Sequence, residues 1–165
     1  MGFFVVANIT FNQIVDAVET TLSAATTLVR SQSYDELTEG IQPGDCPLLQ
    51  VYWESASPVS SDSSTDRRSF GGGGGDENTP LRDKAIIIHA DYYATARSHI
   101  AEDMAAVVNG VDALTDVMET QNTLPYFGLA GIKSFQWQAT RVTFVYGDTQ
   151  TPYSGARFVI TLRVY

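Results

Sequence analysis

The chain has 165 residues, with 19 Asp and Glu against 10 Lys and Arg, a net charge of −9. That length points to a single domain, 1–165, able to bury about 70% of its unfolded surface without staples. The sign of the charge opposes a surface that coats nucleic acid, because phosphate binding needs Lys and Arg in excess. The lone Cys46 cannot form an internal disulfide.

No stretch approaches the roughly 20 apolar residues of a membrane span. The opening Met1-Gly2-Phe3-Phe4-Val5-Val6 is short and lacks a basic flank, so it is a poor secretory signal, and a soluble, unprocessed chain without a membrane partner is expected. Charge is unevenly placed: residues 122–165 carry 4 basic and 1 acidic side chain, whereas 1–94 carry 5 and 13.

Thr10 and Gln13 have capping-box spacing ahead of Phe11, Ile14, Val18, Leu22, Ala25 and Val29, which recur at three- and four-residue steps. This predicts a helix fading by Gln32, with Asp16 and Glu19 facing away from its apolar stripe. A polar connection over 33–47 turns at Pro43-Gly44-Asp45. Residues 48–54 alternate as a short strand, with Leu49, Val51 and Trp53 on one face and Gln50, Tyr52 and Glu54 on the other.

Residues 55–80 form the lowest-complexity stretch: Ser and Asp, then Arg67-Arg68, Phe70, five glycines at 71–75, and Asp76-Glu77-Asn78. A long flexible loop is expected, with Arg67, Arg68 and Phe70 as candidate contacts to a neighbouring subunit or partner. The glycines are not followed by Lys-Ser/Thr and do not make a phosphate loop.

Residues 84–94 read as a central strand, since Ile86-Ile87-Ile88 is apolar on both parities. A helix follows, its predicted core stripe Ile100, Met104, Val107, Val108, Val111, Leu114 and Met118, its opposite side Glu102, Asp103, Asp112, Asp116 and Glu119. Gly110 marks close packing or a bend. Residues 132–165 read as an antiparallel hairpin turning at 147–152. Ala156, Phe158, Ile160, Leu162 and Val164 form a buried face alternating with Arg157, Thr161 and Arg163. In the partner strand the apolar parity switches between Ala139 and Val142, which a bulge near Thr140 would explain. With that bulge, Arg141, Arg157 and Arg163 share one outward, basic face, complementary to Glu102, Asp103, Asp112 and Asp116 on the helix. The fold class is α+β: an antiparallel-dominated sheet of about four strands, two helices on one face, and a long flexible loop.

The two histidines, His89 and His99, lie far from any metal-ligand spacing, and a pair of His89 with Asp91 still lacks a third and fourth ligand. No Gly-x-Ser-x-Gly elbow, Cys-x-x-Cys pair or dinucleotide fingerprint occurs. The reading is a non-enzyme without catalytic, cofactor or metal residues.

The run Lys84-Ala85-Ile86-Ile87-Ile88-His89 leading into a helix that ends in Asp-Ala-Leu-Thr-Asp-Val, with the closing Gly155-Ala156-Arg157-Phe158-Val159-Ile160-Thr161-Leu162 strand, resembles the tail-terminator or tail-completion proteins of long-tailed bacteriophages. The resemblance implies a structural virion protein, assembled in the host cytoplasm and located in the tail or neck. Such a protein forms a hexameric ring that caps the tail tube and meets a head-side connector protein, with DNA passing through the lumen without specific binding. The competing readings are a small ligand-binding or enzymatic α+β domain, or another virion neck or tail ring protein.

Overall fold

The computed structural model describes residues 9–24, 28–33, 36–37, 40–59, 84–145 and 151–164. Within them lie two α-helices, α1 (Phe11–Ser23) and α2 (Ile100–Thr120), and five strands: β1 (Arg30–Ser33), β2 (Leu48–Pro58), β3 (Lys84–Ala96), β4 (Ile132–Val145) and β5 (Pro152–Val164). One sheet has the order β1-β2-β3-β5-β4, parallel between β1 and β2 and antiparallel elsewhere. The α+β expectation holds, with five strands in place of about four.

The helices cover one face because both sides of that contact are apolar at matching periods. On the sheet, Leu49, Val51, Ile86, Ile88, Ala90, Phe158, Ile160 and Leu162 point toward the helices and are buried. Ile14, Val15, Val18 and Leu22 of α1 and Val107, Leu114 and Met118 of α2 meet them. Each fully buried aliphatic or aromatic side chain contributes about 1.5–3 kcal/mol.

The expected capping box opens α1: Thr10 N–H donates to Gln13 Oε1 at 2.9 Å and Gln13 N–H to Thr10 Oγ1 at 3.3 Å. The helix ends at Ser23, well short of Gln32, and the chain then forms β1. This strand has no apolar periodicity; Ser31, Gln32 and Ser33 are held by partners. Ser33 Oγ donates to Asp16 Oδ1 at 2.7 Å and Ser31 Oγ to Glu19, so those two carboxylates, expected to face away, bind α1 to the sheet edge. Ala25 of the predicted stripe lies outside the described residues, and Val29 is exposed.

In α2 the buried stripe is rotated from the predicted one. Asp103, Val107, Gly110, Leu114 and Met118 are buried, while Ile100 and Val108 are exposed. The rotation follows from Gly110, which lies against the Tyr92 ring with no room for a Cβ. The close-packing alternative for this glycine is the observed one.

The expected bulge near Thr140 is absent. Register between β4 and β5 runs unbroken over 134–145, and the irregularity lies between Ile132 and Ser134. The parity switch has another cause: Val142 and Phe144 belong to a second apolar cluster on the sheet face away from the helices, with Ile41, Leu48, Tyr93 and Tyr153. Tyr93 and Phe144 rings stand 4.4 Å apart, and Tyr153 donates its hydroxyl to the Ile41 carbonyl. One strand thus feeds two cores on opposite faces. The expected loop also starts later, since residues 55–58 belong to β2; residues 60–83 and the turn residues 146–150 lie outside the described residues.

Candidate functional site

Strand parity places Gln32, Gln50, Asp91, Arg157 and Thr140 in one row across all five strands, on the face away from the helices. Tyr52, His89, Val159 and Gln138 form the next row. Polar groups buried in such a row need partners, since an unpaired one costs about 1–3 kcal/mol. Gln50 Nε2 donates to Gln32 Oε1 at 2.9 Å, and Gln32 Nε2 to the Glu36 carbonyl at 2.7 Å.

The charged centre of the row is a fork. Arg157 Nε donates to Asp91 Oδ1 and Nη2 to Oδ2, each at 2.7 Å, the bidentate geometry that suits guanidinium and carboxylate. Tyr52 donates its hydroxyl to Asp91 Oδ2 at 2.9 Å and accepts from Arg157 Nη2 at 3.0 Å. The Phe144 ring lies under the guanidinium, 5.8 Å from its centroid to Cζ. The Asp91 hydrogen bond holds the Arg157 pKa above its ordinary value, burial opposing it. Burial, then the charge and hydrogen bond of Asp91, push the Tyr52 phenol well up. Carboxylate, guanidinium and phenol occupy one another, so the arrangement clamps β2, β3 and β5 together.

Beside the clamp, His89 Nδ1 lies 3.7 Å from Glu54 Oε2, with its ring edge-on to Tyr52 at 5.6 Å. Among the described residues, no group of three or more His, Cys, Asp and Glu converges as a metal ligand set. No helix among them is long and apolar enough to cross a membrane. Burial, then Asp45, pushes the Cys46 thiol up to about 11.

The predicted interface residues do not form one complementary pair of surfaces. Glu102, Asp112 and Asp116 are exposed on α2, but Asp103 is 4% exposed, accepting the Ser98 N–H at 3.1 Å and lying 3.5 Å from the hydroxyls of Ser98 and Ser154. It organises the start of α2. Arg141 pairs with Ala156, whose side chain points to the helices, so with no bulge to shift it Arg141 stands on the helix side, opposite Arg157 and Arg163. Arg157 is neutralised by Asp91, and Arg163 is exposed near the far end of the row face. Arg67, Arg68 and Phe70 lie outside the described residues.

Sequence reading missed the sheet edges. Among the described residues β4, 14 residues long, pairs with β5 alone and forms one end of the strand order. It contains no proline, and its register is regular from Ser134 onward. At the other end β1 covers β2 only over 48–51, leaving 52–58 beyond it. At that edge, on the helix side, Trp53 and Phe11 are 45% and 42% exposed with rings 5.5 Å apart. A Trp on the apolar parity of a predicted strand was the visible signal, but its exposure was not.

No protein-family model matches this chain, and a comparison with curated proteins finds no match.

Proposed function

We propose that the chain is a ring-forming structural subunit of a bacteriophage virion, a tail terminator that caps the tail tube and joins it to the head-side connector. The observation that carries the assembly part is the long outer edge of β4, which no other strand among the described residues covers. Exposed edge strands template pairing with another chain, and proteins ordinarily blunt them with proline, bulges, short length or a covering element. Over 134–145 β4 has regular register and no proline, and its length is well above the usual five or six residues. An edge of that kind supports a reading in which the protein works by binding other chains. The tail-terminator part rests on the sequence pattern of β3, α2 and β5.

The two ends of the sheet differ, so subunits joined through them repeat head to tail, the contact type that closes into rings. Native mass spectrometry of the purified chain tests the reading, with a stable species of about six subunits expected. Added to growing tail tubes, the chain should stop elongation. A monomer at micromolar concentration, whether or not tube and connector proteins are present, overturns the proposal. A monomer whose melting temperature rises with a small ligand favours the ligand-binding alternative.

A further inference from the structure

We propose that the groove between α2 and β4 of one copy receives the α1–β2 corner of the next, so that Phe11 and Trp53 of one subunit close the open side of another's helix layer. The inference rests on the ring reading and names the two surfaces that would build it.

The groove exists because the helix layer stops short of one end of the sheet. The helices pack chiefly on β1, β2, β3 and β5, which leaves Phe135, Trp137 and Ala139, on the helix side of β4, only half-buried. β3 and β4 run parallel, since each is antiparallel to β5, and α2 joins them. Such a crossover is right-handed, which sets β4 on one definite side of α2. With Asp103, Val107, Gly110, Leu114 and Met118 down on the sheet, the right-handed winding of the helix turns Met104, Val108 and Val111 to that side. These three belong to the stripe that periodicity marks as core. The packing of Gly110 against the Tyr92 ring rotates them outward: Met104 and Val111 stay half-buried and Val108 is 49% exposed. Val145, on the helix side of β4, is 65% exposed. An apolar wall and floor left open together mark a contact site.

The occupant is a second copy, because the opposite end of the same sheet offers what the groove lacks. Phe11, Val29 and Trp53 are exposed there, beside β1 and the part of β2 that β1 leaves uncovered. The Phe11–Trp53 pair lies on the helix side, so two copies set side by side in the same orientation bring it against the groove with both helix layers on one face. Charge favours the same arrangement. α1 carries Asp16 and Glu19 and no basic residue, whereas β4 carries Lys133 and Arg141 and no acidic one. Groove against corner joins opposite signs; groove against groove, or corner against corner, joins like signs. Side chains above the sheet make this contact, and β2 keeps β1 as its neighbour over 48–51. Groove and corner are different surfaces, so the contact is heterologous and repeats until a ring closes.

That asymmetry supplies the test, made on the full chain. Val108→Asp blocks the groove and Phe11→Asp blocks the corner; both positions are exposed, and circular dichroism checks each variant for the parent spectrum. Val145→Asp and Trp53→Asp replace them if either loses it. Native mass spectrometry is run on each variant alone and on a 1:1 mixture, at concentrations where the unsubstituted protein forms rings. Each variant alone should be monomeric, its assembly concentration raised at least about tenfold. The mixture should give a dimer of one copy of each, joined through the intact corner of one and the intact groove of the other, and nothing larger. If unsubstituted protein forms rings and either variant still does so, or the mixture gives no mixed dimer, the assignment of these surfaces is overturned and the ring reading stands. If unsubstituted protein stays monomeric, the ring reading falls and this inference with it.

Discussion

Arg157 on β5 and Asp91 on β3 face each other directly in register, and the guanidinium takes both carboxylate oxygens. The carboxylate is buried and the guanidinium about one-third exposed. This asymmetry decides what breaking the pair does. Arg157→Ala leaves a buried negative charge held by the Tyr52 hydroxyl, whereas Asp91→Asn leaves a cation that solvent reaches. We predict that Arg157→Ala lowers stability by about 1–3 kcal/mol, below the range for a fully buried pair because of that solvent access. Asp91→Asn should cost less. Replacing both, Asp91→Leu with Arg157→Met, should recover most of the loss. Urea titrations with an unchanged m-value check the series; equal losses in both single variants would show that burial is not the deciding factor.

The acidic residues of α2 should separate by burial. Asp103→Ala removes the acceptor of the Ser98 N–H at a helix start and should cost about 1–2 kcal/mol. Asp112→Ala and Asp116→Ala, on the exposed side, should stay within about 0.5 kcal/mol. Thermal melts of the three variants decide it.

Two glycines are predicted to resist alanine for different reasons. At Gly110 the added methyl meets the Tyr92 side chain, which offsets the gain of about 1 kcal/mol in helix propensity. At Gly155 it meets the Tyr92 backbone carbonyl, which cannot rotate aside. Gly155→Ala should therefore lower the melting temperature more than Gly110→Ala. Replacing Tyr92 by Leu should rescue the second and not the first.

Alkaline pH should loosen the molecule around the second apolar cluster. The Cys46 thiol is raised from 9.0 to about 11, so the folded state prefers it protonated. Its contribution is fully present below pH 9 and is lost as pH rises toward 11. The phenols of Tyr92 and Tyr153 are raised in the same direction, by burial first and then by Cys46. Stability should fall above pH 9, and Cys46→Ser should flatten part of that fall. Thiol labelling at pH 8 should be slow in the folded protein and fast in urea, and equal rates in both would contradict the raised thiol.

The elements that were legible in the chain are those whose reasons are local. Thr10 and Gln13 cap α1 through contacts three residues apart, and the alternation from Ala156 to Val164 specifies a buried strand face by period alone. Two helices on one apolar sheet face follow from such periods. β1 could not be read this way. Ser31, Gln32 and Ser33 are polar and aperiodic, and become a strand because Glu19, Gln50 and Asp16, distant in sequence, accept or donate their hydrogen bonds. The same holds for Val142 and Phe144. A change of parity in one strand reads equally as a bulge or as a change of face, and only Tyr93 and Tyr153, brought alongside by the sheet, decide for the second face. Asp91, set between Ala90 and Tyr92 in an apolar strand, signalled that some cation must answer it, because a buried carboxylate without a partner is too costly to keep. That the cation is Arg157, with Tyr52 closing the triangle, follows from strand order and register, which depend on how distant segments pack together.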